Sequence, residues 1–520
     1  MRPETENRKP VAVFMAFGTK GDVYPLSAIA AAFASDQKQY RVVLVTHSAH
    51  QNLSSHLEER HVTFLGINSP PVLSVRDNYG CSGSQELAFS QQKMIATREH
   101  RQECYSAVEG IFGHGPTMEG DFILINFFAL EGWSLAELFH IRCVVAAPYV
   151  VPYSAPSSFE SHFRREHPLL YKYLQEADSN QVSWKDVAHW MWPLFTENWG
   201  SWRSDDLYLS PCPFTDPVTE LPTWHDRPPS PLLLYGFSKD IVECPDYWPS
   251  NVHVCGFWFL PTEWQFSCKK CQEISELSYP GDLRTKDEVC SAHVKLQYFL
   301  INPASTPPVF IGLSSIGSMG FLRNPQTFLQ LSKLLPLNHH ILIKESTLKR
   351  ESVSLITASF AFLNFNFDGR ELCYRFEGEG EVLFELCGQA LSLWYLTNGY
   401  FQDVQLQFIM GAVDPLLQHY TQASHRWQVL CPFILDQFYW AEKMYWIGVS
   451  PEPLNSSHLI PDKLDDVSIR MAAKVLSRAI NDALSPNIKA RALEIAERIS
   501  LEDGVMEAVK ILKQEMNCSC

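Results

Sequence analysis

The feature that most constrains the fold is a repeated order of apolar run, small-residue turn and helix-forming stretch. Val11–Phe17 is apolar, Gly18–Asp22 breaks the run, and Tyr24–Ala34 favours a helix. The alternation continues with a helix candidate at 47–59, a helix near 131–140 and apolar runs at 40–46, 62–67, 122–128 and 143–150. Strands alternating with helices predict a parallel sheet covered on both faces.

The same order begins again after residue 307. Residues 308–313 are apolar, 314–320 are small, 324–335 favour a helix and 339–344 form another apolar run. The sequence therefore predicts an α/β protein with two facing Rossmann-like domains and a C-terminal helical tail. The expected boundaries are a polar tail (1–9), an N-terminal domain (10–259), a linker or insertion (260–306), a C-terminal domain (307–464) and terminal helices (465–520).

Composition narrows the function classes. The chain has 520 residues and a formal net charge of −16, without runs of Lys and Arg. Nucleic-acid binding is not expected, because phosphate contacts need clustered positive charge. The 14 irregularly spaced Cys fit a reducing compartment. We expect a cytoplasmic protein, and the sequence leaves peripheral contact with a membrane open.

Two turns carry candidate ligand-binding residues. Gly18-Thr-Lys-Gly-Asp22 lies where a strand's carboxyl end meets a helix, the usual ligand crevice of an open α/β sheet. Gly18, Thr19 and Gly21 are candidate binding residues, and Asp22 could accept a proton from a hydroxyl. The alternative is a tight turn with Asp22 favourably placed at the helix N-terminus. Asp436 and Gln437 follow another apolar run and offer hydrogen-bonding groups suited to sugar hydroxyls, although taken alone this pair is more typical of a polar helix start.

Five tryptophans lie between residues 184 and 202. Ordinary core packing is one explanation of such a cluster. The other is the wall of an apolar pocket, with Trp190, Trp192 and Trp199 as its candidate residues.

Cys268-x₂-Cys271 and Cys290-x₂-His293 approach the spacing of tetrahedral zinc ligands. Chance pairing is the favoured explanation, since glycine knuckles are absent from the intervening segment. We therefore expect no metal here, and zinc is kept as the weaker alternative.

Three segments in order resemble the sterol 3β-glucosyltransferase branch of the UDP-sugar-dependent glycosyltransferases. That branch has the GT-B fold and an N-terminal domain of the glycosyltransferase family 28 type. The matching segments are Gly18–Pro25 (with Lys20 where Arg is usual), Pro307–Met319, and Pro432–Glu442 with Ile447–Pro453.

The resemblance implies transfer of a hexose, with glucose expected, from a UDP-sugar to a hydroxyl of a lipophilic acceptor such as a sterol. It implies inversion at the sugar carbon and no required metal or cofactor. Asp22 would be the base. The residues expected to bind the donor include Gly18, Thr19 and Gly21. Ser315, Gly317 and Ser318 would approach the nucleotide, and Asp436 and Gln437 would hold the sugar.

One part of the family pattern is missing. The family carries a His-His-Gly-Gly-x-Gly-x-Thr turn that grips the donor diphosphate, but residues 394–428 contain no glycine cluster. The missing turn is found when the reading frame is shifted between Phe401 and Trp427. Each new codon then consists of the third base of one codon and the first two bases of the next. The codons so formed permit Pro-Arg-Cys-Ala-Ala-Ala-Val-His-His-Gly-Gly-Ser-Gly-Ser-Thr and its continuation. Met410 followed by Gly411, for example, forces a Gly codon. We hypothesise that this segment is translated out of frame.

Two other functions remain open. Without the diphosphate turn, the chain could be a catalytically inactive GT-B relative that binds a lipid or a partner protein. A nicotinamide-dependent oxidoreductase with two Rossmann domains is disfavoured, since no Gly-x-Gly-x-x-Gly turn follows the first strand.

Overall fold

The computed structural model divides the chain into two compact units. Unit 1 comprises Met1–Phe259 and Glu502–Cys520, and unit 2 comprises Leu260–Leu501. The residues that the structure describes are 9–71, 84–113, 119–148, 154–196, 199–261, 264, 309–312, 341–343, 372–376, 382–386, 406–410, 427–433, 436–459 and 465–517.

Unit 1 is built on a seven-stranded parallel sheet. Its strands are β1 (Val11–Met15), β2 (Arg41–His47), β3 (Val62–Ile67), β4 (Phe122–Ile125), β5 (Arg142–Ala147), β6 (Leu233–Tyr235) and β7 (Val252–Val254). Their order is β3-β2-β1-β4-β5-β6-β7. The central strands are apolar throughout and buried, as expected when helices cover both faces of a parallel sheet.

The helices of unit 1 complete the expected alternation. They are α1 (Lys20–Asp36), α2 (Ser54–Glu59), α3 (Ser84–Phe112), α4 (Glu131–Leu138), α5 (Phe159–Glu166) and α6 (Pro168–Gln175). The helix expected from residue 47 is instead the end of β2, a 3₁₀ turn (Ser48–Leu53) and α2. β2 continues to His47 because its side chains stay buried along the sheet.

Short helical turns connect β5 to β6. They are α7 (Trp184–Asp186), a π turn (Val187–Met191), a 3₁₀ turn (Trp192–Phe195), α8 (Trp199–Ser201) and a second π turn (Trp202–Asp206). The predicted tryptophan cluster is therefore a compact run of irregular helix.

Unit 2 contains a six-stranded sheet among its described residues. The strands are β8 (Val309–Gly312), β9 (Ile341–Ile343), β10 (Leu372–Phe376), β11 (Val382–Leu386), β12 (Leu406–Met410) and β13 (Trp427–Cys431). Their order is β10-β11-β9-β8-β12-β13, and every pairing except the antiparallel β10–β11 pair is parallel. The helices among the described residues of unit 2 are α9 (Gln437–Trp446), α10 (Ser456–Leu459), α11 (Asp466–Ala483) and α12 (Pro486–Ile499).

The last helix, α13 (Gly504–Asn517), returns to unit 1. Lys513 Nζ lies 2.6 Å from Asp36 Oδ2, and Arg142 bonds both the carboxylate and the carbonyl of Glu515. Gly504 lies against the backbone of Gly256, where a Cβ on Gly504 would approach the Gly256 carbonyl carbon to 2.3 Å. The predicted helical tail is thus divided between the two units. No helix in the described part of the chain is both long enough and apolar enough to cross a membrane.

Candidate functional site

The candidate site of unit 1 is the carboxyl edge of its sheet between β1 and β4. β2 and β3 follow β1 on one side of the sheet, and β4 then pairs with the other side of β1. This reversal opens a crevice at the carboxyl ends of the two strands, where open α/β sheets bind ligands. The predicted Gly18 turn lies at this point.

Gly18 has φ +108°, a conformation that L side chains rarely adopt. A Cβ at this position would lie 2.6 Å from Asp22 Oδ2. Both observations require glycine here. The predicted residue Gly21 is half-buried inside α1 and lies beside Asp22.

Asp22 caps α1. Its Oδ2 accepts hydrogen bonds from the Thr19 backbone N–H (2.7 Å) and from Thr19 Oγ1 (2.8 Å). Such bonds satisfy polar groups at a helix N-terminus and favour a negative charge there. The geometry gives both residues a role in shaping the turn, and their predicted roles as base and binding residue stay predictions.

Asn126 holds the two sides of the crevice together. Its Nδ2 donates to the carbonyls of Phe17 (2.8 Å) and Asp22 (3.2 Å). Its Oδ1 accepts from the N–H groups of Phe17 and Phe128, each at 3.2 Å. Asn126 is completely buried. A side chain that follows β4 therefore determines the path of the chain leaving β1.

His50 fixes the same turn from the other side. Its Nε2 lies 3.0 Å from the Gly18 carbonyl oxygen. Since a carbonyl can only accept, Nε2 carries the proton. Burial lowers the pKa of His50, which favours the neutral imidazole.

A second group of polar side chains adjoins Phe17. Ser69 Oγ lies 2.7 Å from His100 Nδ1 and 3.3 Å from His47 Nδ1. The Phe17 ring packs against both imidazoles, with centroid distances of 4.9 Å to His47 and 4.5 Å to His100. Glu131 Oε2 lies 3.9 Å from His100 Nε2. Burial lowers the pKa of His47 to about 4, with a further contribution from the neighbouring histidines.

The tryptophan cluster divides into core and half-buried members. Trp190 is fully buried and packs against Trp133 at 5.6 Å. Trp199 is buried beneath the Arg101 guanidinium, 4.3 Å from its ring centroid. Trp192 is half-buried. Core packing thus describes Trp190 and Trp199, and acceptor binding by this cluster stays a prediction.

In unit 2, Asp436 and Gln437 lie at the start of α9. Gln437 is buried, and its Oε1 accepts from the Phe433 backbone N–H at 2.8 Å. Asp436 is half-buried at the helix N-cap. Gln437 thus holds its own loop in shape. Sugar binding by either residue stays a prediction.

Several predicted residues lie outside the described part of the chain: Ser315, Gly317, Ser318, Cys268, Cys271, Cys290 and His293. Within the described residues there is no group of three or more His, Cys, Asp or Glu side chains arranged to hold a metal ion.

The sequence contained a signal for the residues that the site prediction missed. Asn126 directly follows the apolar run Phe122–Ile125, His47 ends another run, and Ser69 follows a third by two residues. Polar residues at the ends of successive strands meet at one edge of a parallel sheet. His100 has no comparable signal, because it lies in the middle of α3.

No protein-family model matches the sequence. Over 117 residues it is 27% identical to the terpene cyclase-glycosyl transferase fusion protein fsoA of Humicola fuscoatra, covering 21% of this chain and 9% of that protein. Over 80 residues it is 31% identical to sterol 3-beta-glucosyltransferase UGT80B1 of Arabidopsis thaliana, covering 15% of this chain and 11% of that protein. Over 83 residues it is 31% identical to the human kyphoscoliosis peptidase, covering 16% of this chain and 11% of that protein. The chain thus spans about a tenth of the length of these curated relatives.

Solved structures are similar over nearly the whole chain. The calicheamicin glycosyltransferase CalG4 has a TM-score of 0.52 at 13% identity, covering 99% of this chain and 100% of that one. The spinosyn forosaminyltransferase SpnP has a TM-score of 0.52 at 11% identity, covering 98% of this chain and 100% of that one. These sequence identities are too low to indicate a substrate, but the structural similarity extends through both α/β units. The chain therefore has the fold of the GT-B glycosyltransferases.

Proposed function

We propose that this protein is a glycosyltransferase that moves a sugar from a nucleotide-sugar donor to an acceptor hydroxyl. The observation that carries the proposal is the GT-B fold, together with a turn that Asn126 and His50 hold by hydrogen bonds at the carboxyl edge of the unit 1 sheet. Fold alone does not specify chemistry. The short local similarity to a sterol glucosyltransferase supports the same reaction class.

The more specific form of the proposal is inverting transfer of glucose from UDP-glucose to a lipophilic acceptor such as a sterol. The acceptor oxygen attacks C1 of the sugar as the bond from C1 to the diphosphate oxygen breaks. The acceptor loses its proton to a base, for which Asp22 is one candidate. Ser315, Gly317 and Ser318 would approach the nucleotide, while Asp436 and Gln437 would hold the sugar.

The topology of unit 2 supports a donor site next to β8. From β8 the chain builds outward to β9, and β12 later pairs with the other side of β8. The side on which successive strands are added therefore changes between β8 and β12, and this change opens a crevice at the carboxyl ends of the two strands. Ser315 follows the end of β8 by three residues. The residues after Met410 follow the end of β12.

This topology also supports the out-of-frame hypothesis. In the shifted reading, the codon pairs of Phe408–Ile409 and Ile409–Met410 permit His, and those of Met410–Gly411 and Gly411–Ala412 permit Gly. The restored glycine turn would thus begin at the carboxyl end of β12. Backbone N–H groups of such a turn could stabilise the charge that develops on the departing diphosphate. We propose that the active protein carries this reading.

The printed sequence favours a second candidate, an inactive GT-B relative, because Gly411 is the only glycine between residues 400 and 428. Sequencing the transcript across the codons for Trp394–Val429 shows which reading the cell makes. Codons incompatible with the shifted reading would remove the out-of-frame hypothesis.

The biochemical test compares the printed chain with a chain in which residues 401–427 carry the shifted reading. Calorimetric titration with UDP-glucose measures donor binding, and radiolabelled UDP-glucose with a sterol measures transfer. We expect binding and transfer only from the chain with the shifted reading. Failure of both chains to bind any nucleotide sugar would contradict the proposed function.

A further inference from the structure

Four side chains from four separate elements meet beside the Gly18 turn. They are His47 at the end of β2, Ser69 after β3, His100 in α3 and Glu131 at the start of α4. His47 and Glu131 are buried, the side chain of His100 is 14% exposed and Ser69 is half-buried. A molecule entering the crevice can therefore reach Ser69 most easily.

The contacts of His100 determine where its proton lies. Nε2 faces Glu131 Oε2 at 3.9 Å and Cys104 Sγ at 3.6 Å. A carboxylate favours an N–H pointing toward it, so Nε2 carries the proton. Nδ1 is then an acceptor, and the Ser69 hydroxyl donates to it at 2.7 Å.

His47 completes the orientation of Ser69. It lies 3.3 Å from the serine oxygen through Nδ1. Because Ser69 donates its proton to His100, His47 donates to Ser69. The hydrogen bonds then run in one direction, from His47 through Ser69 to His100, and the Glu131 carboxylate lies 3.9 Å beyond at ion-pair distance from His100 Nε2. One lone pair of the serine oxygen is left to receive a further donor, such as an acceptor hydroxyl.

Two charged side chains lie beside His100. The Glu131 carboxylate, 3.9 Å from Nε2, would attract a positive charge that develops on the imidazole during the reaction. Arg101 opposes this effect in part, since its Nε lies 3.7 Å from Glu131 Oε1. Its guanidinium is stacked over Trp199 and Trp202, with ring-centroid distances of 4.3 and 5.3 Å. By contrast, Asp22 Oδ2 already accepts two hydrogen bonds from Thr19.

We propose that Ser69, His100 and Glu131 form a proton relay that deprotonates the acceptor hydroxyl during sugar transfer, an inference that rests on the proposed function. As the acceptor oxygen bonds to C1 and the diphosphate leaves, the acceptor's proton passes to Ser69 Oγ. The original Ser69 proton passes to His100 Nδ1. Glu131 stabilises the resulting imidazolium, and His47 positions the serine. The proton leaves to solvent after product release.

The test is the transfer assay on a chain that transfers sugar, with S69A, S69T and H100Q. General base catalysis contributes about 100-fold or more, so we expect S69A and H100Q to lower kcat by about that factor. The Kd for UDP-glucose should be unchanged, because the proposed relay acts on the acceptor hydroxyl. S69T keeps the hydroxyl and should restore most of the rate. The double variant S69A/H100Q should be no slower than either single variant, as expected of groups that act in series.

Ser250→Ala is the matched control, since Ser250 makes one exposed hydrogen bond to the Ser179 carbonyl at 2.7 Å. Circular dichroism and thermal unfolding confirm that each variant folds. If S69A retains kcat within about threefold while the unchanged chain transfers sugar, the relay is wrong and the proposed function stands.

If the unchanged chain transfers no sugar, that result contradicts the proposed function instead. ¹⁵N NMR of the imidazoles then decides whether the relay exists. The relay requires the His100 proton on Nε2 and a change of the Nδ1 signal in S69A. A proton on Nδ1 of His100 would overturn it.

Discussion

Replacing Asn126 with Ala should remove the main support of the crevice. The change deletes two hydrogen bonds from Nδ2 and two to Oδ1, all in a buried environment. Phe17 loses partners for both its N–H and its carbonyl. Each buried backbone group left without a partner costs about 1–3 kcal/mol. We therefore expect N126A to lower the free energy of unfolding of unit 1 by about 3–5 kcal/mol.

Asn126→Asp gives a second, sharper comparison. It keeps an acceptor for Phe17 and Phe128 but places a carboxylate oxygen against the carbonyls of Phe17 and Asp22, where Nδ2 now donates. Buried negative charge facing carbonyl oxygens is unfavourable. We expect N126D to be at least as destabilised as N126A at pH 7. The loss should shrink toward pH 5, where protonation restores a donor.

Urea unfolding followed by tryptophan fluorescence measures both variants, because nine of the 14 tryptophans lie in residues 1–259. Asn251→Ala is the control. It removes a single bond, from Asn251 Nδ2 to the Ser230 carbonyl at 2.7 Å, and should cost about 1 kcal/mol. If N126A destabilises unit 1 no more than N251A does, the reasoning about this crevice is wrong.

Two further predictions concern unit 1. Burial lowers the pKa of His47 and of His189 to about 4, compared with 6.5 in the unfolded chain. The unfolded state therefore binds protons first as pH falls. The free energy of unfolding should be constant above about pH 7 and fall by about 3 kcal/mol for each histidine between pH 6.5 and 4. Unfolding curves that do not change over this range would contradict the assignment. Gly504→Ala places a Cβ against the Gly256 backbone and should destabilise the docking of α13 by about 1–3 kcal/mol. Gly110→Ala is its control, since a Cβ there meets no atom within 4 Å, and this helical substitution should stabilise by about 0.5–1 kcal/mol; equal thermal unfolding temperatures for the two variants would refute the packing argument.

Local sequence patterns accounted for much of the fold. Apolar runs of strand length, separated by glycine turns and helical stretches, predicted the parallel sheet of unit 1 and the strand that opens unit 2. The Gly18 turn was also identified, because a break between a strand and a helix depends on residues that adjoin in the chain. Such patterns are readable because strands and helices impose short periods on the sequence.

The partners of that turn were decided by tertiary structure. Asn126 lies 109 residues from Phe17, and they meet only because β4 pairs with β1 rather than with β3. His100 reaches Ser69 only because α3 packs against β3 and α4. Trp190 is buried against Trp133, a contact between residues 57 positions apart that the composition of the cluster does not predict. Strand order and helix packing depend on the burial of whole faces of helices and sheets at once. A local pattern can therefore show where a polar residue ends a strand, but it cannot show which distant side chain that residue will meet.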